Sequence, residues 1–317
     1  MRKLRILFVA DIHGSSLLFR KALTSSISHA ADLLILAGDL SGKELHPIVF
    51  DGHSFSVTIH GETRHYADAG RLSQVRSTLA DVGEYFIDCE LPYLDQLRSD
   101  PALVRNHIRQ ESVKRLTSWI QMARERINSH RMTILITPGN DDDDSFDGLA
   151  EAIQAPGFLW SYNGIVRFQE YEILNYGDSN LTPWHTPREK PESEIEGDLT
   201  HLFERARRLE SVVCNIHCPP YGTLLDLAVS SEGRNQPRVL IPSAVESHVG
   251  SIAVRKSIEA WQPLVSLHGH VHESPGVQMI GRTLCLNPGS EYRHGVLNAF
   301  VIELKDDSVT SYFRISG

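Results

Sequence analysis

Five short clusters in this 317-residue sequence combine residue types able to hold metal ions: Asp11-x-His13, Gly38-Asp39, Gly139-Asn140-Asp141, His217 and Gly269-His270-x-His272. Carboxylate oxygens, imidazole nitrogens and one amide oxygen suit Mn, Fe, Ni, Co or Zn, and no thiolate belongs to the set. A central carboxylate can bridge two cations about 3.5–4 Å apart, and water held between such ions ionises near neutral pH to become a strong nucleophile. Taken singly the clusters say little, because Asp-x-His is common and Gly-Asp more often marks a turn. Two histidines two apart in Gly269-His270-x-His272 are a sharper metal signal.

The elements that must position these residues are legible as buried strands. Arg5-Ile-Leu-Phe-Val-Ala10 and Asp32-Leu-Leu-Ile-Leu-Ala37 are continuous apolar runs ending in polar residues. Between them, Ser15 to Ile27 carries Leu17, Leu18, Ala22 and Leu23 at helical spacing, so a strand–helix–strand unit with parallel strands is expected. Further buried strands are expected at 133–137, 212–216 and 264–267, and each expected strand is followed by one of the polar clusters. Carboxyl ends of adjacent parallel strands converge on one crevice, which would gather clusters far apart in sequence.

A long insertion, about 43–130, separates the second and third buried strands. Its first part, around Ile48 to His60, alternates and contains Asp51-Gly52, which predicts a hairpin. Its second part, about Leu72 to Ile127, is read as helical. Val113, Leu116, Trp119, Ile120, Ala123 and Ile127 define one amphipathic face. Such an insertion would shape the substrate entrance, or pack a homodimer through a surface with Trp119 and Phe86. The polar stretch 182–195, with Pro183, Pro187 and Pro191, reads as a surface loop. Two late hairpins are expected, one around Gly281-Arg282 and one around Lys305–Ser308.

The bulk composition narrows the partners. A net charge of −9 does not favour nucleic acid as the main partner, since a duplex-binding face is usually basic. No stretch approaches membrane-spanning length, and the apolar run after Met1 stops at Asp11, too short for a signal peptide. Cys89, Cys214, Cys218 and Cys285 form no Cys-x-x-Cys pair and fit reduced thiols of a cytoplasmic protein.

The five clusters, in this order, resemble the calcineurin-like metallophosphoesterase superfamily, whose pattern is Asp-x-His, Gly-Asp, Gly-Asn-His-Asp/Glu, a later His and Gly-His-x-His. The stretches Gly250–Arg255, His217-Cys-Pro-Pro-Tyr-Gly222 and Asn287-Pro-Gly-Ser290 look like a small microbial branch of it. The resemblance implies an α/β fold, a four-layer αββα sandwich of two mixed sheets, in a single domain spanning 1–317. It implies Asp11, His13 and His272 on a first metal, Asn140, His217 and His270 on a second, and Asp39 bridging both. Mn is favoured among the candidate metals, and the substrate would be a phosphate ester.

One position departs from that pattern. The residue after Gly-Asn, usually a histidine that contacts phosphate and helps protonate the leaving oxygen, is Asp141, the first of four aspartates. Branches with this replacement are associated with phosphodiesters, so a phosphodiesterase is the leading expectation, with Asn140 and Asp141 on the substrate and Asp141 the candidate catalytic group. The alternative is an inactive scaffold or binding module retaining the fold. His60, His185, His268 and His294 are candidates for the missing acid, and Arg293 for a phosphate contact. Asp142 to Asp144 read as a solvated loop that starts a helix.

Overall fold

A computed structural model describes residues 3–59, 61–148, 156–229 and 246–317; His60 therefore lies outside the described residues. Two six-stranded mixed sheets form the centre. The first runs Ser308–Ser316, Asn298–Lys305, Leu4–Ala10, Leu33–Ala37, Thr133–Thr137 and Phe158–Trp160. The last four of these are parallel to one another, while Asn298–Lys305 pairs antiparallel with both Leu4–Ala10 and Ser308–Ser316. The second runs Gly276–Ile280, Thr283–Asn287, Val265–Leu267, Val212–Ile216, Tyr171–Tyr176 and Gly164–Phe168, with its middle four strands parallel and an antiparallel strand at each edge.

The continuous apolar runs follow from burial on both faces. Phe8, Ile35 and Leu135 point between the sheets and meet Ile173, Val213 and Leu267. The alternate residues Leu7, Val9, Leu34 and Leu36 face outward, against Phe19 and Leu23 of helix Ser16–Ser28 and Leu116 and Trp119 of helix Pro101–His130. On the far side, helices Glu192–Arg205 and Ile252–Trp261 cover the second sheet through Leu199, Phe203, Val254 and Ile258. The result is the expected α/β/β/α stack.

Within the insertion, Leu45–Phe50 and Phe55–Ile59 form the expected hairpin. They belong to a four-stranded sheet with Glu62–Tyr66 and Tyr85–Glu90 at its edges. The strand Tyr85–Glu90 corrects the all-helical reading of 72–127. It lies between helices Ala69–Asp81 and Leu91–Ser99 and pairs in parallel with Leu45–Phe50, a partner remote in sequence. Trp119 is buried within the chain, 1% exposed and stacked on Phe19 with ring centroids 4.7 Å apart. Phe86, partly buried, packs against the insertion's own cluster. The segment 182–195 is not wholly irregular either. Glu189–Lys190 pairs with Ser179–Asn180, and the helix from Glu192 begins directly after Pro191. Proline before a helix supplies a pre-set φ and leaves no donor unsatisfied.

No helix among the described residues is long and apolar enough to cross a membrane. All four cysteines are free thiols, three of them buried.

Candidate metal centre

Each expected ligand stands just beyond a strand. Asp11 and His13 follow Leu4–Ala10, Asp39 follows Leu33–Ala37, and Asn140 follows Thr133–Thr137, three adjacent parallel strands of the first sheet. His217 follows Val212–Ile216, while His270 and His272 follow Val265–Leu267, adjacent strands of the second sheet. The clusters therefore converge across both sheets.

The seven side chains come together. Donor atoms of Asp11, His13, Asp39 and His272 lie within 4.8 Å of one another, and so do those of Asp39, His217 and His270. Asp39 belongs to both groups. Its Oδ2 is 3.8 Å from His13 Nε2, while its Oδ1 is 3.3 Å from His217 Nε2. His13 Nε2 and His272 Nε2 face each other at 3.0 Å. Asp11 Oδ1 is 3.8 Å from both His217 Nε2 and His272 Nε2.

The backbone is strained where the ligands sit. Asp11, His13, Asp39 and His270 have φ of 56°, 40°, 45° and 66°, a region that side-chain-bearing residues rarely occupy. Strain of this kind persists only where the surroundings enforce it, and it clusters at functional sites. The enforcing contacts are present. His270 N–H donates to both oxygens of Asp11 (3.1 and 3.0 Å), and the Ser290 hydroxyl donates to the Asp11 carbonyl (2.6 Å). Asp141 N–H donates to Asp39 Oδ1 (2.9 Å). Two glycines permit the approach: a Cβ on Gly269 would stand 2.4 Å from Asp11 Oδ2, and one on Gly38 would stand 2.0 Å from His217 Nδ1.

Asn140 is oriented by residues that carry no motif of their own. The Thr186 hydroxyl donates to Glu189 Oε1 (2.7 Å), so it accepts from Asn140 Nδ2 (2.8 Å). That fixes the amide, leaving Oδ1 toward His217 Nε2 (2.9 Å) and His270 Nδ1 (2.7 Å).

The electrostatics of this cluster call for a cation. Burial, then the charge of Asp39, drives the Asp11 carboxyl well above its usual range, and burial, then Asp142, raises Asp39 to about 6. Burial holds His217 near 4, His270 near 3 and His272 near 3, and pushes His13 far down as well. Neutral imidazoles and crowded carboxylates sharing one buried space are a donor set for divalent ions. The residues present fit metal ions, in two donor groups that share Asp39.

The other candidates are placed as follows. Asp141 is mostly buried, with its carboxylate ion-paired to Lys43 and 3.9 Å from His13 Nδ1. Burial, then Asp39, raises it to about 7. Asp142 is not part of a solvated loop: it is 0% exposed, which corrects that reading for this one residue. Asp143 does cap a short 3-10 turn beginning at the exposed Asp144. His268 is buried with Nδ1 donating to the carbonyls of Ile216 (2.8 Å) and Cys218 (3.1 Å), a structural role. His185 and His294 are exposed, and Arg293 pairs with Glu44 at 3.2 Å. Lys43, Asp142, Thr186 and Tyr292, whose ring lies 4.5 Å from that of His13, are site residues that spacing did not reveal. A cavity of about 760 Å³ adjoins the centre, lined by Ser41, Asp141 and Arg188 together with Arg105, Asn106 and Ser112 of the long helix.

No family model matches the chain. Uncharacterized protein MJ1162 of Methanocaldococcus jannaschii is 30% identical over 162 residues, covering 50% of this chain and 65% of that protein. The chain thus matches slightly less than two-thirds of that relative. Among solved structures, TT1561 of Thermus thermophilus superposes with a TM-score of 0.53 at 14% identity, covering 100% of this chain and 99% of that one. Another solved chain gives a TM-score of 0.58 at 18% identity, with 100% and 99% covered. These likenesses establish the mixed α/β fold over the full length. A structure described as a novel archaeal phosphodiesterase aligns at a TM-score of 0.38 and 11% identity, too slight a likeness to bear on function.

Proposed function

We propose that this chain is a dinuclear metal-dependent phosphoesterase acting by preference on phosphodiesters. The observation that carries the reading is the position of Asp39, whose two carboxylate oxygens face two separate donor groups. When bound, a pair of divalent ions supplies Lewis acidity toward a phosphoryl group and lowers the pKa of water. Mn is the favoured metal.

The chain's own residues do the rest. Asp11, His13 and His272 form one group, and Asn140, His217 and His270 the other, each held by the contacts described above. Because the imidazoles stay neutral far below pH 7, their lone pairs remain available to cations. Asn140 and Asp141 would contact the phosphate ester, a reading supported by Asp141 bordering the cavity that would take the remainder of the substrate. Residues of the insertion's long helix also line that cavity, which supports the insertion as the shaper of the entrance.

Purified protein reconstituted with Mn should cleave bis(para-nitrophenyl) phosphate, and Asp39→Asn should abolish the activity together with full metal occupancy. Undiminished turnover by Asp39→Asn would overturn the reading.

A further inference from the structure

We propose that Lys43 is the phosphate-contacting cation of this centre: its ammonium offsets Asp141 and holds a non-bridging oxygen of the substrate. The inference rests on the phosphoesterase reading and adds to it a residue contributed by the insertion.

The geometry begins with how Lys43 is delivered. It lies five residues after Gly38, on the connection into the insertion, and that connection is fixed at several points. Ser41 N–H donates to Asp142 Oδ1 (2.8 Å), Gly42 N–H donates to the Tyr85 hydroxyl (2.9 Å), and Glu44 accepts from Arg293 (3.2 Å). Between these anchors the Lys43 side chain reaches the carboxylate of Asp141. Its side chain is 48% exposed, so the ammonium stands between the buried Asp141 carboxylate and solvent. Burial opposes its charge, but Asp39 and Asp141 outweigh that and hold Lys43 above its usual range, so it remains cationic. Its charge is felt at Asp11, His13, His217, His270 and His272.

Charge balance shows why a cation is required there. Asp141, when ionised, would face an incoming anion with a like charge, a repulsive arrangement. Lys43 cancels that charge and leaves donor positions free, because an ammonium has three and no acceptor. The Lys43–Asp141 pair then presents to phosphate what one neutral donor would, while the two metals provide the net attraction. A phosphodiester, with a single negative charge, suits such a site.

The test is the affinity of Mn-loaded protein for inorganic phosphate, measured by calorimetry, alongside KM and kcat for an activated diester. Lys43→Ala should weaken phosphate binding and raise KM by about ten- to a hundredfold, the scale of a charge-assisted hydrogen bond, with both metals retained by elemental analysis. Adding Asp141→Asn to Lys43→Ala should recover only the part of the phosphate affinity lost to repulsion by the unpaired Asp141, and Lys43→Arg should retain the affinity. Unchanged phosphate affinity in Lys43→Ala, loss of its metals, or failure of Asp141→Asn to rescue would each overturn the proposal. Wild-type protein that binds neither phosphate nor ester with metals present would overturn the phosphoesterase reading instead.

Discussion

Asp142 Oδ1 accepts from both the backbone N–H (2.8 Å) and the hydroxyl (2.6 Å) of Ser41, tying the loop after Asp39 to the loop that carries Asn140. Its second oxygen accepts from Leu40 N–H (2.9 Å) and Gly139 N–H (2.9 Å). One buried carboxylate thus fixes the relative position of Asp39, Asn140 and the stem leading to Lys43.

Three of the four partners are backbone donors that cannot reverse their role. Asp142→Asn, though nearly isosteric, must turn its NH2 toward at least one of them. Both Asp142→Asn and Asp142→Ala should therefore lower stability by on the order of 3 kcal/mol, since each leaves buried donors unpaired. Urea unfolding of the metal-free proteins checks this, and an Asn variant as stable as wild type would contradict the account.

The sequence conceals this residue for a physical reason. Asp142 stands in a run of four aspartates, where polarity alone suggests solvent, and the partners on the Asp39 loop are about a hundred positions away. Residues whose role is set by their own strand end, such as Asp39 and His217, are legible because an apolar run followed by a polar group marks a buried strand opening on a crevice. Lys43 and Thr186 carry no such marker, because non-local contacts bring them to the centre. The strand Tyr85–Glu90 is hidden for the same reason: its parallel pairing with Leu45–Phe50 outweighs the helical spacing around it.

Gly38 offers a way to separate the two donor groups. Its φ is +64°, and a Cβ there would collide with the His217 imidazole, whereas the Asp11, His13 and His272 group lies on the other side of Asp39. Gly38→Ala should displace His217 at a stability cost of at least about 1 kcal/mol from the left-handed backbone alone. Elemental analysis should then find close to one ion per chain in place of two, with ester hydrolysis lost. Two retained ions would show that His217 is not needed to hold the second.

Proton release on metal binding follows from the carboxylates rather than the imidazoles. Asp39 is raised to about 6 and Asp11 is raised too, so below these values the metal-free centre keeps carboxyl protons that a cation must expel. The histidines titrate near 3 to 4, so at pH 5 they are already neutral and release nothing. Because protonation competes with the metal, affinity should weaken as pH falls through about 6 and strengthen as it rises, until both carboxyls are ionised. Calorimetric Mn titrations at pH 5.5, in two buffers of different ionisation enthalpy, should show protons released per ion bound, and fewer at pH 8. Asp39→Asn should remove part of that release while leaving the histidine contribution at zero. Equal release at both pH values would place the displaced protons elsewhere.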